Sequence, residues 1–320
     1  MTDRTRVTVI AGGFGGARMA HGFALLPDDV ELTVVINTAD DTELHGLRIS
    51  PDLDTVMYTL AGVANNETGW GVANETWSAA EMLAGYGEPT WFRLGDRDLA
   101  THVVRTARLH AGERLTDVTR DLAAALGVTA TLLPMTDDEV RTKILTPDGW
   151  LDFQDYFVRR HHSDPVEDVR FDGMETARAT AEALEAITEA DLIVIAPSNP
   201  FVSVGPVFAL PGIRDAMLAA DAPILAVSPI VGGAALRGPA ANMMRTLGAG
   251  AAATAAGIAR VYATRYPGVV DTLVIDDADA ADAEAVAATG IAYAAAGIVI
   301  ADEHSRRRLA LNLLRLSLQP

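Results

Sequence analysis

Val7-Thr8-Val9-Ile10-Ala11-Gly12-Gly13-Phe14-Gly15-Gly16-Ala17-Arg18 is the stretch that decides the fold. An apolar run, Val7–Ala11, enters a glycine-dense turn, and helical sequence follows over Ala17–Leu26. Leu32–Ile36 is a second apolar run of strand length. The same rhythm returns late in the chain. Leu192–Ala196, Ile224–Val227, Val270–Ile275 and Ile298–Ala301 read as strands, with Ile213–Ala219 and the Ala-rich Ala249–Ala263 as helices. Continuous apolar strands alternating with helices predict a parallel sheet covered on both faces. The expected fold class is therefore α/β, a Rossmann-like, mostly parallel sheet with helices on both faces and an inserted helical plus short-strand lobe.

That lobe is read from the middle of the chain. Thr55–Gly62, Glu75–Tyr86, Asp98–Ala111 and Leu115–Leu126 form consecutive helical segments. Thr131–Leu133, Val140–Leu145, Trp150–Phe153 and Tyr156–Val158 follow as short strands around a Pro147-Asp148-Gly149 turn. No Pro/Ser-rich linker bounds the segment. The expected division is residues 1–54 and 191–320 as the Rossmann-like nucleotide-binding core, with 55–190 inserted into it.

Composition narrows the function. A chain of 320 residues with 49% hydrophobic and 21% charged residues buries a sizeable core. With no cysteine there is no disulfide framework, thiolate metal site or cysteine nucleophile. The polar start, Met1 to Arg6, lacks the pattern of a secretory signal, so the cytoplasm is the expected location. The longest uncharged stretch, Leu192–Ile213, is broken by prolines, serines and Asn199. A net charge of −18 opposes nucleic acid and anionic membranes, so neither is an expected partner. It also opposes a nucleotide, so a phosphate site must be built locally from backbone amides, a metal or a few arginines. Lys143 is the one lysine among 25 basic residues, a bias too general to mark each arginine as a phosphate clamp.

The loops at the strand ends carry the chemistry, because ligands of open α/β sheets bind beyond the carboxyl ends of the strands. Gly12, Gly13 and Gly15 present free backbone amides at the positive end of a helix, a phosphate-binding geometry. The loop lacks the Lys-Ser/Thr of a Walker motif and the order of a dinucleotide fingerprint. Asn37-Thr38-Ala39-Asp40-Asp41 follows the second strand, and its paired carboxylates offer hard oxygen ligands suited to Mg²⁺. One of Asp40 and Asp41 is expected to face the site while the other orients it.

Ser50-Pro51-Asp52-Leu53-Asp54 reads as a helix start with Ser50 as N-cap. Asp52 and Asp54 do not share a helix face, and Asp54 is the expected site residue. Gly95-Asp96-Arg97-Asp98 opens another helix behind Trp91, Phe92 and Arg93. Pro197-Ser198-Asn199-Pro200 and Ser228-Pro229 are small polar loops at two later strand ends. The seven histidines show no zinc spacing, and no serine-hydrolase elbow occurs.

Taken in order, several of these segments resemble the 2-phospho-L-lactate transferase family of coenzyme F-420 biosynthesis. They are Asn37–Asp41, Ile49–Thr55, Leu94–His102, Leu133–Asp138, Phe153–Asp155, Ala196–Pro200 and Val227–Ile230, within a match from about Val7 to Ala240. The resemblance implies a transferase that moves a phospholactyl, phosphoenolpyruvyl or phosphoglyceryl group. The donor is a guanosine-diphospho-carboxylate, the acceptor is the ribityl hydroxyl of the deazaflavin Fo, and GMP leaves. It implies Asp40 and Asp41 as metal-binding and hydroxyl-orienting residues with Mg²⁺, and Asp54 and Arg97 on Fo, with the inserted lobe forming the deazaflavin side. Gly12, Gly13, Gly15, Ser198, Asn199 and Ser228 are implied on the guanosine diphosphate, in a homodimer. The first loop departs from relatives with a Thr-Gly-x-Lys-like version, and Arg18 is a candidate stand-in for that lysine. The alternative is a non-catalytic nucleotide-sugar-binding regulator of the gluconeogenesis-factor type.

Overall fold

The computed structural model describes residues 4–235, 238–248 and 250–318. Its centre is a sheet of seven strands: β1 (Thr5–Ala11), β2 (Val30–Ile36), β3 (Thr131–Pro134), β4 (Leu192–Ile195), β5 (Ile224–Val227), β6 (Thr272–Ile275) and β7 (Ala292–Ala295). The spatial order is β7-β6-β5-β4-β1-β2-β3, and every pair is parallel. Alternation along each strand divides the core between the two faces. Ile10, Val35, Ile193 and Ile195 pack on one side, and Val9, Val34, Ile36 and Val194 on the other. The Rossmann-like α/β expectation holds.

Register sets the position of the loops. Ala11 pairs with Ile36, and Ile10 with Ile195, so β1, β2 and β4 end level with one another. From β1 the chain builds toward β3 on one side and, after the insertion, from β4 toward β7 on the other. The switch point lies between β1 and β4, where such sheets open a crevice at their carboxyl edge. Helix α1 (Gly13–Ala24) leaves β1 directly. It packs against α2 (Pro51–Leu60), and against α4 (Glu303–Ser317) through Gly22, where a Cβ would lie 2.5 Å from the Arg306 carbonyl oxygen. Helix α3 (Asp96–His110) is the long helix of the middle segment.

Four sequence expectations are corrected. Thr131–Leu133, assigned to the inserted lobe, instead belongs to β3 and extends the main sheet beside β2, because Leu132 and Leu133 are buried there. The remaining short strands, Arg141–Thr146, Gly149–Asp152 and Asp168–Asp172, do form their own antiparallel sheet. Tyr156–Val158 belongs to a π-helical turn, Asp155–Arg159, in which Phe157 stacks on Phe153 with ring centroids 5.4 Å apart. Ile298–Ala301 is not a strand. The edge strand is Ala292–Ala295, and Ile298 and Ile300 fill the core from an extended connection. The helix expected at Ala249–Ala263 begins at Ala255, capped by the Thr254 side chain, and Ala249 itself lies outside the described residues.

Candidate active site

The glycine turn is shaped by close approach. At Gly15 a Cβ would lie 2.3 Å from the Pro197 carbonyl oxygen, so only glycine lets the loop after β4 close against the loop after β1. Ser198 locks the same contact by donating its hydroxyl to the Gly12 carbonyl at 2.8 Å. Gly13 adopts φ of 63°, the left-handed region, and faces Asp52. The structure therefore brings Gly12, Gly13, Gly15 and Ser198 together at the switch point. Asn199 and Ser228 stand at neighbouring strand ends but serve their own turns. Asn199 accepts the Phe201 amide at 2.9 Å, and Ser228 both accepts from and donates to the Ile230 backbone.

The loop after β2 holds the carboxylates. The Asn37 side chain accepts the Ala39 amide, which folds the turn, and donates to Asp52 at 3.0 Å. Gln154 donates to the Asp40 carbonyl at 2.8 Å, and the Thr142 amide donates to that of Ala39 at 2.7 Å, tying the small sheet to this turn. Asp40 and Asp52 are both buried, and Oδ1 of Asp40 has no hydrogen-bond partner. Burial first, and then the negative charge of Asp52, pushes the Asp40 carboxyl well above the ordinary carboxylate range. The Thr142 hydroxyl and the Asn37 amide act against that shift. Burial likewise raises Asp52, with the Asn37 amide and the Gly13 backbone amide opposing it.

Asp41 turns the other way. It accepts the Ser50 hydroxyl at 2.6 Å, so the expected N-cap serine of α2 makes no side-chain cap bond and orients Asp41 instead. Burial pushes Asp41 up to about 7, while Ser50, Arg141 and Arg105 pull it down. One oxygen, Oδ1, is buried without a partner.

A second buried cluster lies behind Asp41. Arg105 grips Asp54 through both terminal nitrogens and sits 3.2 Å from His102 Nδ1. Because arginine only donates, Nδ1 is the acceptor and the imidazole proton is on Nε2, which lies 3.3 Å from Asp98 Oδ1. Tyr58 donates to that same oxygen at 2.9 Å. Asp54, Asp98 and His102 also lie close enough together to share a metal, but the Arg105 guanidinium already occupies the Asp54 carboxylate. The resemblance puts Asp54 on the acceptor, whereas its carboxylate here is occupied by Arg105. Arg97 is exposed and donates to the Ala73 carbonyl at 3.3 Å, one residue before the Asp98 that clusters with Asp54.

Sequence reasoning passed over Asp52, Arg105 and His102. The rule that residues two apart on a helix diverge is obeyed: Asp52 faces the glycine turn and Asp54 faces α3. The signal for the second cluster is the spacing of Asp98, His102 and Arg105, one face of α3 in three successive turns.

A parallel sheet carrying a glycine turn and buried carboxylates at its switch point defines a Rossmann-like α/β enzyme. The chain belongs to the family described as 2-phospho-L-lactate transferase CofD, which it matches over residues 7–316, and it is a transferase. It is 44% identical over 321 residues to a phosphoenolpyruvate transferase of Kitasatospora aureofaciens, covering 98% of each chain. It is also 44% identical over 313 residues to the phosphoenolpyruvate transferase of Mycobacterium avium strain 104, covering 89% of this chain and 92% of the relative. Among solved structures, a UPF0052-family protein of Bacillus halodurans superposes with a TM-score of 0.66 at 16% identity, covering 98% of this chain and 100% of that one. That likeness is one of fold alone. Among the described residues no helix is long and apolar enough to cross a membrane.

Proposed function

We propose that the protein transfers a phospho-carboxylate group from a guanosine-diphospho-carboxylate to the ribityl hydroxyl of the deazaflavin Fo, releasing GMP, within coenzyme F-420 biosynthesis. Phosphoenolpyruvyl is the preferred group, since the relatives of 44% identity carry that name. The observation that carries the reading is the buried Asp40–Asp52 pair, of which Asp52 faces Gly13 and Asp40 has one oxygen left without a partner. Two desolvated carboxylates side by side repel one another, and a hard divalent cation such as Mg²⁺ relieves that repulsion. Asp40 and Asp52 would hold it. Asp41 was expected to share the metal, but its neighbours Arg141 and Arg105 disfavour a cation. When bound, the ion supplies neutralisation of phosphate charge.

The chain's own residues supply positioning and proton transfer. The Gly12–Gly15 turn places backbone amides at the start of α1, where diphosphate oxygens are favoured. Asp41, held by Ser50 and raised to about 7, is poised to take the hydroxyl proton. The hydroxyl oxygen forms its bond to the phosphorus bearing the carboxylate group. The bridging P–O bond breaks, and GMP departs with that oxygen. The expectation of a cytoplasmic homodimer stays with this reading.

A non-catalytic nucleotide sensor gives the partnerless oxygens of Asp40 and Asp41 no role. The test is a transfer assay with Fo and the lactyl, enolpyruvyl and glyceryl donors, read by mass spectrometry. The enolpyruvyl product should dominate. Tight GDP binding with no product from any donor would support the sensor instead.

A further inference from the structure

Arg306, in the first turn of α4, is 7% exposed, yet no carboxylate of the described residues lies within ion-pair distance of it. Arg105, the other deeply buried arginine among the described residues, is gripped by Asp54. Of the acids near Arg306, Asp302 is engaged by the Ser305 amide and hydroxyl at 2.8 and 2.7 Å in the capping box of α4, and Glu303 is exposed. The Arg306 Nη1 donates to His21 Nδ1 at 3.3 Å, which makes that nitrogen a neutral acceptor and leaves the positive charge without a direct ion pair, offset only from a distance by Glu303 and Asp302. Nε is buried without a partner. Burial pulls the Arg306 guanidinium below its ordinary value and the neighbouring His21 below its own.

Arg306 does not stand alone. It lines a small open cleft together with Arg18, Phe14, Thr55, Thr59 and Trp70. Arg18 lies over the Phe14 ring at 3.9 Å from its centroid and donates to the Ile300 carbonyl at 3.3 Å, which fixes its guanidinium beside the cleft. Thr55 and Thr59 continue along the face of α2 that begins with Asp52, so the cleft lies further along the groove between α1 and α2. Buried charges are ordinarily paired, and leaving one unpaired is costly.

We infer that this cleft is an anion-binding site, separate from the Asp40–Asp52 crevice, that takes an oxyacid group between Arg306 and Arg18. Planar guanidinium forks match phosphoryl and carboxylate oxygens alike, and the two threonine hydroxyls add donors. The inference goes beyond the transfer reading and does not depend on it.

The test is calorimetric titration of the full chain with inorganic phosphate, with lactate and with GDP, for wild type, Arg306→Gln, Arg306→Lys and Arg18→Gln. Wild type should bind phosphate, lactate or both. Arg306→Gln should weaken that binding about tenfold or more, the loss expected for a charge-assisted hydrogen bond. Arg306→Lys should recover part of it, and Arg18→Gln should weaken it independently should Arg306→Gln fold poorly by thermal melting. Phosphate selectivity identifies a phosphoryl ligand, and lactate selectivity a carboxylate. A parallel loss of GDP affinity would place Arg306 and Arg18 in the nucleotide site and overturn the claim of a separate site. Failure of wild type to bind either small anion at millimolar concentration overturns the inference, as does unchanged affinity in folded Arg306→Gln and Arg18→Gln.

Discussion

Arg105 is among the largest fully buried side chains of the protein, and its charge serves two carboxylates at once. It grips Asp54 directly and helps to hold Asp41 down. Arg105→Met therefore strands a buried carboxylate, and stability should fall by about 3–5 kcal/mol. The double variant Arg105→Met/Asp54→Asn should recover most of that loss in urea denaturation, and equal loss in both would show that packing dominates. Asp41→Ala is expected to behave differently. Ionisation of Asp41 is already disfavoured by burial, so the melting temperature should stay near wild type. The single-turnover rate should fall about 10²–10⁴-fold through loss of the proton acceptor. A near-normal rate in the folded variant would remove Asp41 from the mechanism. The acidic turn at Asp40-Asp41 was legible in the sequence, because the two adjacent carboxylates directly follow the second apolar run. The Asp52 pairing was not, since it depends on which face α2 turns toward the glycine loop.

Helix ends and strand ends differ in what they support. Gly15→Ala drives a Cβ against the Pro197 carbonyl, and the two loops that frame the crevice must separate. Both stability and turnover should fall. Asp302→Ala removes a capping box far from the carboxylates, and should cost about 0.5–2 kcal/mol with turnover unchanged. Measuring melting temperature and turnover for both variants separates the two roles, and normal turnover in Gly15→Ala would contradict the assigned geometry. The buried strands were readable for a physical reason. Ile224–Val227 is apolar throughout because both faces are covered. The exposed edge strand Ala292–Ala295 carries no such pattern, so the eye moves to Ile298 and Ile300, which are buried without pairing. In the same way, the aromatic run Tyr156–Val158 has strand composition, but stacking of Phe157 between Phe153 and His162 curls it into a turn.

At the scale of the whole molecule, a parallel sheet reverses its building direction between β1 and β4, and the carboxylates and glycine turn lie at that reversal. The sheet could be read from alternating apolar runs, but its order could not, because β3 comes from the middle of an apparently separate segment. A net charge of −18 keeps the surface hostile to anions, so anionic donors depend on local devices: amides, cation-holding carboxylates and buried arginines. The central claim is that this crevice performs a metal-assisted transfer and is not merely a nucleotide receptor. The most direct measurement is a single-turnover reaction with Fo and the enolpyruvyl donor, quantifying GMP and modified Fo in the same quenched samples. The account predicts that the two products appear one for one, are lost in excess EDTA and return with Mg²⁺. GMP release without modified Fo, or full turnover in excess EDTA, would contradict it.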